Sequence, residues 1–259
     1  VRNVYYPVSV CYEQYEKISQ EFVKEHLDDY YHTYQLLEDE ESRRAMAAYL
    51  NSRMNNDIQY VKNCYTKEQT YFCNDLYQIG RDETYADIGA FDGDSIRLFL
   101  KSSDGGYRHI YALEADPVNF SRLQKYTAEQ GLQNLTLYRM AAWKEKADLH
   151  FNGTGKEKAG VSSAEKADAQ AVAADALDHL IGSETVTMLK INFLYGVLET
   201  LMGARALLKR SQPKLAVVVG FDEWALIRIP QYIHRQNPNY RFWLRYNSCM
   251  PARLTLYAK

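Results

Sequence analysis

Three residues in one short stretch carry the clearest chemistry in this sequence. Asp87, Gly89 and Gly93 stand in the spacing D-x-G-x-x-x-G within Tyr85-Ala-Asp-Ile-Gly-Ala-Phe-Asp-Gly-Asp-Ser95. Glycine has no Cβ and tolerates positive φ, so a turn of this composition lets backbone approach a nucleotide-like ligand closely. The same pattern also serves ordinary strand–turn–helix corners. A second group with matching chemistry is Glu114, in Leu113-Glu-Ala-Asp-Pro117. An acidic residue at the tip of the next strand, about 20 residues past the turn, accepts hydrogen bonds from ribose hydroxyls. Its neighbour Asp116 has a structural explanation, as a helix N-cap followed by proline at the first helical position. The third group is Ala141-Ala-Trp143, where small residues leave room for a flat base and Met140 or Trp143 could flank it.

The elements that position these residues alternate between strand and helix. Tyr85–Ile88 reads as a buried strand, and Ile96, Phe99 and Leu100 mark the apolar face of the helix after it. His109–Leu113 is a second strand, Pro117–Gln130 a helix, Leu135–Met140 a third strand and Asp148–Phe151 a hairpin arm. Asn152–Gln170, rich in Gly, Ala, Ser and Lys, reads as a mobile loop or lid. A helix at Ala174–Ile181, strand Val186–Ile191, helix Gly196–Lys209 and strand Leu215–Phe221 follow. Pro230 restricts the next helix to Pro230–Gln236. Strands Arg241–Tyr246 and Arg253–Tyr257 close the chain. This order predicts a parallel sheet with helices on both faces and an antiparallel hairpin at one edge. Before it, Glu13–Leu37 and Asp39–Tyr60 read as helices. Their tyrosines either line a polar cleft or pack the helices on the sheet with hydroxyls in water. The expected division is a helical extension over 1–79 and a catalytic domain over 80–259.

From about Gln69 onward the chain resembles the FkbM-type S-adenosylmethionine-dependent methyltransferases. The resemblance lies in Gln69-Thr-Tyr-Phe72, Tyr85–Phe99, Tyr111–Phe120, Ala142, Ala176-Leu-Asp178 and Met188-Leu-Lys-Ile191. It continues in Leu201-Met-Gly-Ala204, Gln212–Ala216, Ile229-Pro230 and Leu256-Tyr-Ala258. It implies an α/β, Rossmann-like seven-stranded class I methyltransferase sheet and O-methyl transfer to a sugar hydroxyl of a glycan or nucleotide sugar. The implied cofactor is S-adenosylmethionine, held by Asp87, Gly89, Ala90, Phe91, Gly93, Ser95, Glu114, Ala115, Ala142 and Trp143. The expected acceptor contacts are Tyr71, Phe72, Tyr195 and Asp222. Nicotinamide binding is disfavoured, because Phe91 replaces the middle glycine of the turn.

One segment departs from the family pattern. Where relatives read Asp-(Ile/Val)-Glu-Gly-x-Glu, this chain reads Asn192-Phe-Leu-Tyr-Gly-Val197, with Asn192, Leu194 and Val197 in place of the three acids. Gly220-Phe221 and Arg245-Tyr-Asn247 likewise replace histidine-bearing motifs. A hydroxyl acceptor benefits from a general base by about 10²- to 10⁴-fold, and Asn192 can only orient by hydrogen bonding. Nor can it hold a divalent metal alone, so no metal is expected. Lys190 and Asn192 are the catalytic candidates at this strand end, with Asp222, Glu223 and His234 as further polar groups. Loss of catalysis with retention of cofactor binding is the alternative reading.

Composition agrees. A chain of 259 residues with 46% hydrophobic and 25% charged residues suits a globular protein. A net charge of -2 gives no basic face for tracking phosphates, so nucleic acid is not an expected partner. Cys11, Cys64, Cys73 and Cys249 form neither a zinc pattern nor a disulfide frame, which points to a reducing, cytoplasmic setting. No apolar run is long enough to span a membrane, and no cleavable leader is visible. The oligomeric state cannot be read from these residues.

Overall fold

The computed structural model describes residues 18–66, 70–152, 160–162 and 170–259. Cys11 and Gln69, the start of the first expected helix, and the stretches 153–159 and 163–169 of the expected loop lie outside the described residues. Along the chain come α1 (Gln20–Glu25), α2 (Leu27–Leu36), α3 (Glu40–Asn55), α4 (Gln59–Lys62), β1 (Thr84–Ile88), α5 (Asp94–Ser102), β2 (His109–Leu113), α6 (Pro117–Glu129) and β3 (Leu135–Tyr138). Four strands, β4 (Ala141–Ala142), β5 (Ala147–Asn152), β6 (Gly160–Ser162) and β7 (Gln170–Asp175), make a second small sheet. Then follow α7 (Leu177–Leu180), β8 (Met188–Ile191), α8 (Val197–Gly203), α9 (Arg205–Ser211), β9 (Lys214–Val218), α10 (Ala225–Gln236), β10 (Phe242–Tyr246) and β11 (Leu254–Ala258).

The main sheet has seven strands in the order β10-β11-β9-β8-β1-β2-β3. The pairs among β9, β8, β1, β2 and β3 are parallel, whereas β11 runs antiparallel to both β9 and β10. The expected parallel sheet with an antiparallel edge hairpin is therefore present. The chain runs outward from β1 to β2 and β3, and in the other direction from β8 to β9. The β1–β8 boundary is thus the topological switch point, where open α/β sheets place ligands. Alternate strand residues feed two cores. Ala86, Ile88, Leu189, Ile191 and Val217 face one side, with Tyr30, Leu37, Met46 and Tyr49 from the N-terminal helices packed in the same cluster. Tyr85, Ala112, Met188 and Ala216 face the other, under Phe72, Tyr77 and Phe99.

Several boundaries differ from those read in the sequence, each for a local reason. The first expected helix divides at His26, whose backbone is non-helical, with Ser19 capping α1 at Phe22 N. The second ends early at Asn56, a left-handed C-cap at φ 55°. Residues 170–175, which span the end of the expected loop at Gln170 and the expected helix start at Ala174, form β7 against β5, and only Leu177–Leu180 is helical. Gly160–Ser162, inside the expected loop, pairs with β5. The expected helix Gly196–Lys209 breaks at Ala204, because the Asp178 carboxylate caps a new helix at Ala206 N and Leu207 N, both 2.8 Å. Pro230 does not start its helix but sits inside α10. Proline cannot donate to the Leu226 carbonyl four residues back. The buried Thr33 hydroxyl donates to that carbonyl instead, at 3.1 Å.

The N-terminal tyrosines follow neither expected pattern throughout. Tyr30 and Tyr49 are buried, and their hydroxyls donate to the backbone carbonyls of Glu223 and Asp222. Tyr31 and Tyr34 are exposed. Among the described residues no helix is long and apolar enough to cross a membrane, and no disulfide joins Cys64, Cys73 and Cys249.

Candidate functional site

An ion pair spans the switch point. Asp87 on β1 and Lys190 on β8 are register partners in the parallel ladder. Both side chains are excluded from water, and Lys190 Nζ donates to Asp87 Oδ1 at 2.8 Å. The ammonium also donates to Gly89 O at 2.7 Å and Ser95 Oγ at 3.3 Å, while Ser95 Oγ donates to Asp87 Oδ2 at 2.6 Å. Burial works against the Lys190 charge, but the Asp87 carboxylate beside it holds its pKa above the usual lysine value. Lys190, expected as a catalytic candidate, is thus a fully engaged cation beneath the turn. Asp87 and Ser95, expected as cofactor contacts, are its partners.

Above this pair the glycine turn is held from two sides. Gly89 has φ 75°, and a Cβ there would lie 2.4 Å from Asn192 O, so the turn packs directly on the end of β8. Gly89 N and Ala90 N both donate to Leu113 O at 3.0 Å. Phe91 adopts φ 51°, and Gly93 at φ 90° opens α5. Glu114 is buried and bridges the turn to β2: Oε2 accepts from Phe91 N and Oε1 from Asp116 N, both at 2.8 Å. Burial pushes its carboxyl pKa up. Each oxygen keeps a second lone pair for a ligand hydroxyl, so Glu114 both clamps the turn and remains able to accept. Asp116 caps α6 at Asn119 N, 2.8 Å, as its sequence context implied.

The third wall is tighter than expected. Ala142 is buried, and its carbonyl accepts from Thr200 Oγ1 at 3.0 Å. A Cβ on Gly196 would lie 2.5 Å from the Trp143 ring, and one on Gly203 would lie 2.0 Å from Trp143 O. Trp143 therefore braces the segment that carries Asn192 and α8. Ala115 packs with Trp143 around the small second sheet.

At the end of β8, Asn192 Nδ2 donates to the Tyr71 hydroxyl at 2.7 Å. Tyr71 takes a left-handed backbone, φ 68°. Its N–H donates to Tyr257 Oη at 3.1 Å, and its carbonyl accepts from Tyr77 Oη at 2.7 Å. Lys190 Nζ lies 5.3 Å from the Tyr71 ring centre. Tyr77 and Tyr257 were not expected as site residues; strand periodicity places Tyr257 on a face but does not give its partner. Tyr195 is exposed. Phe72, expected to touch the acceptor, is instead a core residue, fully buried against Tyr85 and Phe99. Asp222 is a helix cap: Oδ1 accepts from Trp224 N and Ala225 N at 2.8 Å. His234 packs on Phe242 of β10, three strands from β8. Among the described residues no group of three His, Cys, Asp or Glu could hold a metal ion.

No family model matches the sequence, and no curated protein matches it. The fold does have counterparts among solved structures. It is similar to the methyltransferase FkbM from Methylobacillus flagellatus KT, with a TM-score of 0.78 at 20% identity over 92% of this chain and 60% of that one. A weaker likeness is to an rRNA methylase from Streptococcus thermophilus, with a TM-score of 0.45 at 14% identity over 70% of this chain and 87% of that one. The chain thus spans 60% of the length of its FkbM counterpart. The fold is that of the Rossmann-like class I methyltransferases.

Proposed function

We propose that the chain binds S-adenosylmethionine across the ends of β1 and β2 and transfers its methyl group to an oxygen of a glycan or nucleotide sugar. The observation that carries this reading is the joint placement of the Gly89 turn, Glu114 and the Asp87–Lys190 pair at the switch point. The site fits the cofactor in two respects. The turn brings its backbone against the end of β8 at Gly89, where no side chain fits, and Glu114 keeps lone pairs beside two fixed N–H bonds. Bound S-adenosylmethionine supplies an electrophilic sulfonium methyl. Ala142 and Trp143 form the wall toward a base, and Ala115 the margin beside it. In this reading residues 80–259 are the methyltransferase domain and 1–79 a helical extension, whose described helices pack on the sheet through Tyr30, Leu37, Met46 and Tyr49.

The chain's own contribution to the reaction is placement. In-line displacement gains most from holding donor and acceptor at attack distance. Asn192 and Tyr71 are the polar side chains at the end of β8, and Tyr195 stands at its exposed rim. A second reading, cofactor binding without transfer, is favoured by one observation: the Asn192 amide is committed to Tyr71, where a base would otherwise stand.

Calorimetry with S-adenosylmethionine, and with NAD as the control, tests cofactor choice. Labelled donor offered with a panel of nucleotide sugars and glycans separates the two readings. Label transfer supports the enzyme; tight binding without transfer to any member supports the binding protein.

A further inference from the structure

We propose that the Tyr71 hydroxyl and the Asn192 amide together form a carboxylate-binding site. The inference rests on the cofactor reading above and names what the acceptor-side end of that cleft holds.

Tyr71 is built into place to an unusual degree. A left-handed backbone is costly for a residue with a large side chain, and such strain persists where the surroundings over-determine it. Here both backbone groups of Tyr71 are gripped by buried tyrosine hydroxyls, Tyr257 on its N–H and Tyr77 on its carbonyl. Its ring lies over Lys190 Nζ. The hydroxyl is therefore fixed at the end of β8, beside Asn192, in a residue that is 5% exposed.

Its hydrogen bonding is only half satisfied. The phenol oxygen accepts from Asn192 Nδ2 at 2.7 Å, while the phenol proton has no acceptor among the described residues. The Asn192 amide keeps a second N–H of its own. Burial first of all raises the Tyr71 pKa, so the group stays protonated and donates. Lys190 and Arg253 act on the phenol as positive charges, and Asp94 and Asp87 act against them. Two adjacent donors match a planar group with two oxygens and a negative charge, because hydrogen bonds to an ionised acceptor are the stronger ones. A carboxylate meets this description. It comes from one of two sources, the α-carboxylate of S-adenosylmethionine or an acidic sugar such as a uronic acid.

The experiment uses the full chain and Tyr71→Phe, which keeps the ring and its packing and removes only the hydroxyl. Calorimetry measures S-adenosylmethionine and its decarboxylated analogue. Saturation-transfer NMR on cofactor-loaded protein compares D-glucuronate with D-glucose. If the pair holds the cofactor, Tyr71→Phe weakens S-adenosylmethionine by roughly 10- to 100-fold, the range for a hydrogen bond to a charged group, and leaves the decarboxylated form unchanged. If it holds the acceptor, both cofactor forms bind as before and contact with glucuronate is lost. Equal weakening of both cofactor forms, or no change with any of these ligands, overturns the inference while leaving cofactor binding intact. A wild-type protein that binds neither cofactor form overturns the cofactor reading itself.

Discussion

Lys190 and Asp87 meet at 2.8 Å across the boundary where the chain reverses its direction through the sheet, and neither is in contact with water. Because the same ammonium also bonds Gly89 O, the ion pair and the glycine turn are one structure. Disturbing either residue disturbs both stability and the turn.

Removing one partner of a buried pair leaves an uncompensated charge, at a cost of about 3–5 kcal/mol. Lys190→Met is expected to lower unfolding stability by that order in urea titrations. Lys190→Met combined with Asp87→Leu is expected to recover part of the loss. A single mutant of wild-type stability would show that the pair is not held as described.

Gly89→Ala introduces a methyl group 2.4 Å from Asn192 O at a positive φ. The turn and the end of β8 must then move apart. The expected outcome is a loss of roughly 1–3 kcal/mol together with loss of S-adenosylmethionine binding, read by thermal unfolding and calorimetry. Gly131→Ala, also at positive φ but with open space around the added carbon, serves as the control that leaves binding unchanged.

Thr33 supports a proline inside a helix from another element. Thr33→Val leaves the Leu226 carbonyl without its buried donor, costing about 1–3 kcal/mol. Adding Pro230→Ala restores an N–H that can reach the same carbonyl, so the double mutant is expected to be more stable than Thr33→Val alone. Strict additivity in denaturant unfolding would contradict this assignment.

Asp39 gives the acid limb of the stability profile a defined contribution. Burial opposes its charge, but the paired bonds from Arg245 and those from Ser42 hold its carboxyl down at about 2. A depressed folded pKa means the stabilisation is present above the unfolded value, about 3.9, and is lost as pH falls toward 2. Asp39→Asn is therefore expected to flatten the stability profile between about pH 4 and pH 2. The carboxylate is 37% exposed, so added salt should shrink the difference. Identical acid unfolding of mutant and wild type would count against the bridge.

What was legible in the sequence was periodic or covalent. Short apolar runs marked the strands of the main sheet, and Asp116-Pro117 marked the start of α6 to the residue. The glycine spacing placed the turn, since positive φ leaves its mark on residue type. Contacts between distant segments were not legible. Nothing local in Thr33 announces that it satisfies Leu226, and nothing in Asp178 announces that it splits the helix after Ala204. Phe72 looked like a cleft residue because its turn precedes the first sheet strand, yet its ring lies in the core against Tyr85 and Phe99, while the neighbouring Tyr71 ring also reaches Lys190. Glu114 was recognised by its position, but its two backbone partners depend on the folded turn.

The central claim is that the Gly89 turn and Glu114 form a cofactor site, and calorimetric titration of wild type and Glu114→Ala with S-adenosylmethionine tests it most directly. Saturable one-site binding to wild type is expected, with at least roughly tenfold weaker binding to Glu114→Ala, a loss of about 1.4 kcal/mol or more, and the mutant still folded by circular dichroism. Absence of binding to wild type, or equal affinity in the two proteins, would contradict it.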